Sequence, residues 1–211
     1  MKKTLVAIAA VAAVSFASSA FAVGISGSGH DFSAKGYGTT EICRPCHGAH
    51  NGNQTIAPLW NHTATTATGF TTYTSSSMQA TVGQPQGISL ACLSCHDGTV
   101  AVDSFGGVTG THPILSTSSS YLGKNLANDH PVSFKYDDAL ATSDGSLYKP
   151  TLDVRASLGG KTINSVLLFG AAKDQVECAS CHDVHNTAGF SKMLVMDNSA
   201  ASKLCMTCHN K

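Results

Sequence analysis

Apolar residues form one long run near the start of the chain and only short runs after it. The long run, Leu5 to Phe16, follows two lysines and precedes the small-x-small tripeptide Ala20-Phe21-Ala22. This pattern predicts a secretory signal over residues 1–22 and a mature domain over residues 23–211. The run is too short for a comfortable membrane span, and no later stretch approaches that length. We therefore expect an exported chain without a membrane span.

The short apolar runs predict a mostly irregular, coil-rich fold with a few short α-helices. One helix is predicted from about Thr40 to His47, and a second is predicted to begin with Ser89 as its N-cap. The sequence Asp174-Gln-Val-Glu177 resembles a capping box and predicts the start of a third helix. Ser199 is a candidate cap for the last helix. Residues 165–169 are predicted to be a strand or a buried turn, and the Thr/Ser-rich tract before Gln84-Pro85 is predicted to be loop.

Four of these short elements carry the same pentapeptide pattern, Cys-x-x-Cys-His. The copies are Cys43-Arg-Pro-Cys46-His47, Cys92-Leu-Ser-Cys95-His96, Cys178-Ala-Ser-Cys181-His182 and Cys205-Met-Thr-Cys208-His209. Together they use all 8 cysteines of the chain. In a c-type haem attachment site the two thiols bond to the porphyrin edge, and the following histidine binds the iron as proximal ligand. The pattern therefore predicts four covalently bound haem c groups.

Three other uses of paired cysteines predict different patterns. A tetrahedral zinc site brings two pairs together and does not require a histidine after each pair. Disulfides are compatible with export, but ring closure across two residues is uncommon. A thioredoxin-like redox motif occurs once, near a βαβ pattern that this chain lacks.

The composition of the chain indicates that the haems also contribute to folding. Charged residues make up only 12% of the chain, while Gly, Ser, Thr, Ala and Asn are abundant. Such a sequence has little apolar surface with which to fix a fold, so we expect the porphyrins to form the core. The 13 basic and 13 acidic residues become 11 and 13 when the two lysines of the signal are removed. Nucleic-acid binding is not expected, because it requires a basic patch.

The motifs are arranged as a repeat. The segments Cys43 to Asn51 and Cys178 to Asn186 share both cysteines, both histidines and the final asparagine, so each ends in Cys-His-x-x-His-Asn. Each copy is followed by a plainer motif. The repeat predicts two di-haem units, at about residues 30–100 and 174–211, joined by a long connecting segment.

Ten histidines less four proximal ones leave six for the distal positions. The candidate distal ligands are His50, His62, His130, His185 and His30, with His112 the weakest. Methionine ligation by Met78, Met193 or Met196 is the alternative, but the surplus of histidine favours bis-His irons.

Two of these histidines are limited by reach. His50 and His185 each lie three residues after a proximal histidine, so they span at most about 11 Å from it and cannot reach the other face of the same porphyrin. We therefore expect His50 to serve the haem of His96, and His185 the haem of His209.

Several segments resemble those of a known group, the extracellular tetrahaem cytochromes of the outer-membrane cytochrome E kind, which polymerise into conducting filaments. The resemblance rests on the repeated Cys-His-x-x-His-Asn, and on residues 58–62 (Pro-Leu-Trp-Asn-His), 93–98 (Leu-Ser-Cys-His-Asp-Gly) and 128–134 (Asn-Asp-His-Pro-Val-Ser-Phe). It implies bis-His haems, mostly irregular backbone, and head-to-tail assembly with some ligation between subunits.

The sequence as a whole predicts a secreted tetrahaem cytochrome that carries electrons and is not an enzyme. It is expected to pass electrons to redox partner proteins or extracellular acceptors, as a filament subunit built from copies of itself or as a soluble periplasmic carrier. A multihaem reductase is the alternative from another class. Such an enzyme needs an iron with an open position, whereas all four motifs end in histidine and distal ligands are in surplus.

Overall fold

A computed structural model describes residues 24–50 and 52–211. The predicted signal over residues 1–22 lies outside the described residues. Across the described part of the chain, no helix is both long and apolar enough to cross a membrane.

The predicted coil-rich fold is confirmed, because most described residues lie in turns and irregular segments. There are four short α-helices in the described residues: α1 (Gly87–His96), α2 (Asp138–Asp144), α3 (Ile163–Leu167) and α4 (Cys205–Cys208). Single 3₁₀ turns cover Ala156–Leu158, Cys178–Ser180 and Ser191–Met193. Six two-residue strands complete the regular structure: β1 (Thr71–Thr72), β2 (Asn125–Leu126), β3 (Phe134–Lys135), β4 (Val154–Arg155), β5 (Lys161–Thr162) and β6 (Gln175–Val176).

The strands form three separate pairs rather than one sheet. β1 and β2 are parallel, while β3 pairs with β6 and β4 pairs with β5 in antiparallel fashion. In the β3–β6 pair Phe134 lies opposite Val176, so residues far apart in sequence are joined immediately before the third motif. Strands this short position the connecting loops and supply little of the core.

The polypeptide has two apolar clusters of its own. The larger one is formed by Phe134, Tyr136, Ala141, Ile163, Leu167, Leu168, Val176 and Met196. The smaller one is formed by Phe70, Leu93 and Leu126. The long segment between the second and third motifs therefore contributes most of the buried apolar residues of the larger cluster.

Helix α2 shows why a short helix forms in this segment. The Asp137 side chain accepts a hydrogen bond from the backbone N–H of Leu140 at 2.8 Å, which satisfies one of the free donors of the first turn. Gly145 ends the helix at a φ of 72°, a left-handed conformation that glycine adopts without steric cost. Ala141 is buried against the larger cluster.

Several local predictions were wrong. The first motif lies on a turn closed by the His47 N–H donating to Cys43 O at 2.9 Å, and no helix forms over residues 40–47. Helix α1 begins at Gly87 with Gln86 as its N-cap, because the Ser89 hydroxyl is engaged by Glu177. Ser199 does not cap α4, which follows Leu204.

The third motif also differs from its prediction. Residues 175–176 form strand β6, and the capping box links Glu177 with Ser180 at the start of a 3₁₀ turn. The predicted strand or buried turn at residues 165–169 is only partly present: helix α3 ends at Leu167, whereas the extended Leu168 is buried and Phe169 forms an isolated antiparallel bridge with Gln175. At helix α1 and at the third motif, a long-range pairing overrides the local signal: Ser89 bonds to Glu177, and strand β6 pairs with strand β3.

Candidate functional site

The second motif lies in the last turns of helix α1. Ser94, which directly precedes the second cysteine, is fully buried, and its hydroxyl donates to Leu90 O at 2.6 Å. The same oxygen accepts from the backbone N–H of Thr65 at 3.0 Å, which joins the motif to a distant loop. Ser94 therefore anchors the buried side of the motif, while the cysteine side chains remain partly accessible.

The fourth motif is held in the same way. Thr207 is fully buried, and its hydroxyl bonds to Lys203 O at 2.8 Å and to the Ser157 hydroxyl at 2.8 Å. It also contacts the Met196 sulfur at 3.5 Å. Helix α4 is thereby fastened to the larger apolar cluster.

A buried anchor before the second cysteine is shared by all four motifs. The anchors are Pro45, Ser94, Ser180 and Thr207. Sequence reasoning did not single out this position. The recurrence of a small hydroxyl residue there in three motifs was the signal that would have revealed it.

Three of the four proximal histidines are oriented by a backbone carbonyl. The Nδ1 atoms of His47, His96 and His182 lie 2.7, 2.7 and 3.0 Å from the carbonyl oxygens of Pro58, Ser120 and Lys192. A carbonyl oxygen only accepts, so each Nδ1 carries the proton and leaves the lone pair on Nε2. This is the tautomer and ring fixation found in metal-binding histidines.

Three proximal histidines also have a second imidazole ring nearby. The ring centroids of His47 and His185 are 6.2 Å apart with nearly parallel planes, 9° from each other. Those of His96 and His30 are 6.0 Å apart at 58°, and those of His209 and His130 are 6.4 Å apart at 73°. No such pair that includes His182 is found in residues 24–50 and 52–211.

These pairs differ from those that the reach of the chain predicted. The structure places His185 beside His47, whereas the prediction paired it with His209, whose neighbour is His130. His96 lies beside His30, whereas the prediction paired it with His50. Each of these neighbouring rings belongs to a segment other than that of the motif beside it, but nearness along the sequence did not decide which motif.

The remaining candidate distal histidines lie apart from the proximal rings. His50 is exposed. His62 is buried, with Nδ1 at 2.8 Å from Thr63 O and Nε2 at 3.5 Å from the Cys95 sulfur. His112 is exposed, and its Nδ1 donates to Asp103 at 2.8 Å.

Two methionines of the alternative prediction lie against a histidine or in the buried core. Met193 places its sulfur 3.1 Å from Nδ1 of His30. Met196 is buried in the larger cluster beside Thr207.

All eight cysteines are free thiols in the structure. Burial raises the pKa of Cys95 to about 12, with the nearby Cys46 thiol adding to the shift. The nearby Cys178 thiol raises the pKa of Cys92, and the nearby Cys92 thiol lowers the pKa of Cys178 to about 7. Burial also raises the pKa of Cys208 to about 12, with a further contribution from Cys181.

The thiols of consecutive motifs are therefore spatial neighbours. Cys46 lies near Cys95, Cys92 lies near Cys178, and Cys181 lies near Cys205 and Cys208. The four motifs form a continuous series in the order of the sequence.

The site suits a c-type haem. An iron bound by two imidazoles through metal–nitrogen bonds of about 2 Å places their ring centroids about 6 Å apart. The three observed pairs, at 6.0–6.4 Å, match this spacing. Each proximal histidine directly follows two free thiols that are placed to form thioether bonds. Paired thiols followed by an oriented imidazole define covalent haem attachment sites, and several such sites define a multihaem c-type cytochrome.

Comparison with known proteins supports this class. Residues 170–211 match the family model for the doubled CXXCH motif, which covers 42 of the 211 residues. No curated protein sequence matches the chain. The match includes the third and fourth motifs and indicates a multihaem cytochrome c that carries electrons.

Proposed function

We propose that the chain is an exported tetrahaem cytochrome whose irons are bound by two histidines each. The observation that carries this is the set of three imidazole pairs at 6.0–6.4 Å, each containing one proximal histidine. His185 is the distal ligand for the iron of His47, His30 for that of His96, and His130 for that of His209. When bound, each haem supplies one-electron chemistry between ferric and ferrous iron.

Electrons pass along the motifs in sequence order. This path is supported by the closeness of the Cys92 and Cys178 thiols, because haems attached at these two motifs would lie next to each other at the centre of the series. The rings of His47 and His185 are nearly parallel and close together, so the first motif lies beside the loop of the third motif. The polypeptide binds and orients the carriers and takes no part in bond making.

The haems form the rest of the core. The two apolar clusters of the polypeptide leave large side chains uncovered, including Leu115, Leu152 and Val154, which are 63–65% exposed. A chain with so few charged residues and so little regular structure gains its remaining apolar contacts from the porphyrin faces. Folding and haem binding are then one process.

Catalysis at the irons is not part of this proposal. A reductase needs an iron with an exchangeable sixth position. An imidazole ring lies beside each of His47, His96 and His209, where it would fill this position. An optical spectrum of the purified holoprotein without high-spin bands supports the carrier, and a high-spin band that shifts on addition of a small oxyanion supports the reductase.

We also propose that copies of the chain assemble head to tail into an extracellular filament, with other copies of itself and extracellular acceptors as partners. His182 has an oriented Nδ1 but no ring partner in the described residues, whereas His50 is exposed and has no proximal ring beside it. His50 of one copy therefore supplies the sixth ligand of the His182 iron of the next. A contact between two different surfaces of identical subunits propagates into a fibre unless it closes into a ring.

Two measurements test the proposed function. Haem assay against protein mass is expected to give four haems per chain, and three or fewer would contradict the count. Electron microscopy of the secreted protein is expected to show filaments that His50→Ala abolishes, with one iron per chain turned high-spin. His112→Ala is the control, because that side chain is equally exposed but is paired with Asp103. Filaments that persist in His50→Ala with unchanged spectra would remove His50 as the ligand, and a strictly monomeric holoprotein would end the filament proposal.

A further inference from the structure

Glu177 is a buried carboxyl at the junction of the second and third motifs. It is one of only two glutamates in the chain, and its side chain is 3% exposed. It directly precedes Cys178, whose thiol lies near that of Cys92. The carboxyl therefore lies beside the attachment atoms of two haem sites at once.

Glu177 joins three segments through hydrogen bonds. Its Oε2 accepts from the hydroxyl of Ser89 in helix α1 and, at 2.9 Å, from the hydroxyl of Ser133. Ser89 Oγ in turn accepts from the backbone N–H of Cys178 at 3.1 Å. The other oxygen, Oε1, lies against Gly87, where a Cβ atom would approach it to 3.0 Å. The carboxyl is thus held in one position by groups that do not move independently.

The groups that face this carboxyl carry no compensating charge. Helix α1 presents the Cys92 thiol, the 3₁₀ turn presents Cys178, and the Ser133 segment presents only a hydroxyl. Both thiols cease to titrate once they form thioether bonds. No salt bridge to Glu177 is present in residues 24–50 and 52–211. Burial raises the pKa of Glu177 above its usual value, and the hydrogen bonds from Ser89 and Ser133 offset only part of this.

We propose that Glu177 is a proton-binding site whose occupancy is linked to the redox state of the haems attached at Cys92–Cys95 and Cys178–Cys181. The inference rests on the proposed function, because it requires haems at these two motifs. One electron arrives from a reduced redox partner, the iron changes from ferric to ferrous, and one proton moves from water to the Glu177 carboxylate. The loss of one positive charge nearby makes the carboxylate harder to keep ionised where water does not screen it.

Potentiometric titration of the haem-loaded protein across a range of pH tests the link. Two of the four haems are expected to have potentials that fall as the pH rises, because the ionised carboxylate favours ferric iron. The potential is expected to change by at most about 59 mV per pH unit, which is the value for one proton bound with one electron. Glu177→Gln, neutral at every pH, is expected to lose the slope and to keep the higher potential.

The matched control is Glu41→Gln. Glu41 is the other glutamate and lies two residues before Cys43, but its side chain is 69% exposed and pairs with Arg44 at 3.8 Å. Its replacement is expected to leave the slope of the two affected haems unchanged. A Glu177→Gln protein with the wild-type slope, or a wild-type protein with flat potentials, would overturn the inference.

A second measurement covers the case in which Glu177→Gln fails to assemble. The infrared difference spectrum of the wild-type protein, reduced minus oxidised, is expected to gain a carboxylic acid C=O band that shifts in deuterium oxide. Haem-loaded protein without that band overturns the inference alone. A secreted chain without covalent haem overturns the proposed function, and this inference with it.

Discussion

Replacing His185 by alanine is expected to remove the sixth ligand of one iron in four, and the iron affected is the one bound by His47. The two rings are 6.2 Å apart and only 9° from parallel, whereas the other two pairs are tilted by 58° and 73°. Since the chain has four motifs, the high-spin fraction is expected to rise from zero to about one quarter of the haem.

Electron paramagnetic resonance identifies which iron has changed. Nearly parallel imidazole planes split the iron d orbitals rhombically and give an ordinary low-spin signal. Strongly tilted planes leave two of these orbitals close in energy and give a signal at large g. His185→Ala is therefore expected to lose one iron's share of the rhombic signal and to retain the large-g signals. The potential of that iron is also expected to change, because axial ligation sets it.

The same spectrum separates this assignment from the pairing that chain reach predicted. If His185 served the iron of His209, its loss would remove a signal other than that of the parallel pair at His47. Spectra that show only low-spin iron in His185→Ala would refute bis-His ligation by this residue altogether. His112→Ala is the control and is expected to leave all signals unchanged.

Two further predictions concern stability. Thr207→Ala leaves the Ser157 hydroxyl without its partner and is expected to lower the free energy of unfolding by about 1–3 kcal/mol. The control, Thr142→Ala, removes an exposed hydroxyl and is expected to change it by less than about 0.5 kcal/mol. Denaturant titration of both holoproteins measures the difference. Burial raises the pKa of Asp103, but hydrogen bonds from His112 and Thr111 outweigh this and lower it to about 2. Because this lies below the unfolded value of about 3.9, Asp103 stabilises the fold at neutral pH and loses that effect as the pH falls from about 4 to 2. Asp103→Asn should therefore be less stable than the wild type at pH 7 and as stable as the wild type near pH 2. If the variant and the wild type were equally stable at both pH values, the Asp103 carboxylate would not stabilise the fold.

The class of protein could be predicted from the sequence because its chemistry is local. Two thiols and an imidazole within five residues define the attachment site, so the motifs needed no tertiary information. The coil-rich fold could be predicted as well, since few stretches have a helical or strand period. The limits of helix α1 could not, because the Ser89 hydroxyl bonds to Glu177 across 88 positions and does not cap its own helix.

The distal pairing could not be predicted either. Chain reach excludes a partner within three residues but does not choose among distant motifs. His185 lies beside His47 because the loop of the third motif passes the first, which the order of the motifs does not indicate. The anchors at Ser94, Ser180 and Thr207 were visible as a repeated residue type, yet their burial depends on which element covers them.

The closeness of Cys92 and Cys178 has a consequence for haem attachment. In the folded chain both cysteines are partly buried, one in helix α1 and the other in the 3₁₀ turn. A haem attached at one of them would have to share this space with a haem attached at the other. We therefore expect thioether bonds at these two motifs to form more readily on an open polypeptide, before the two motifs meet.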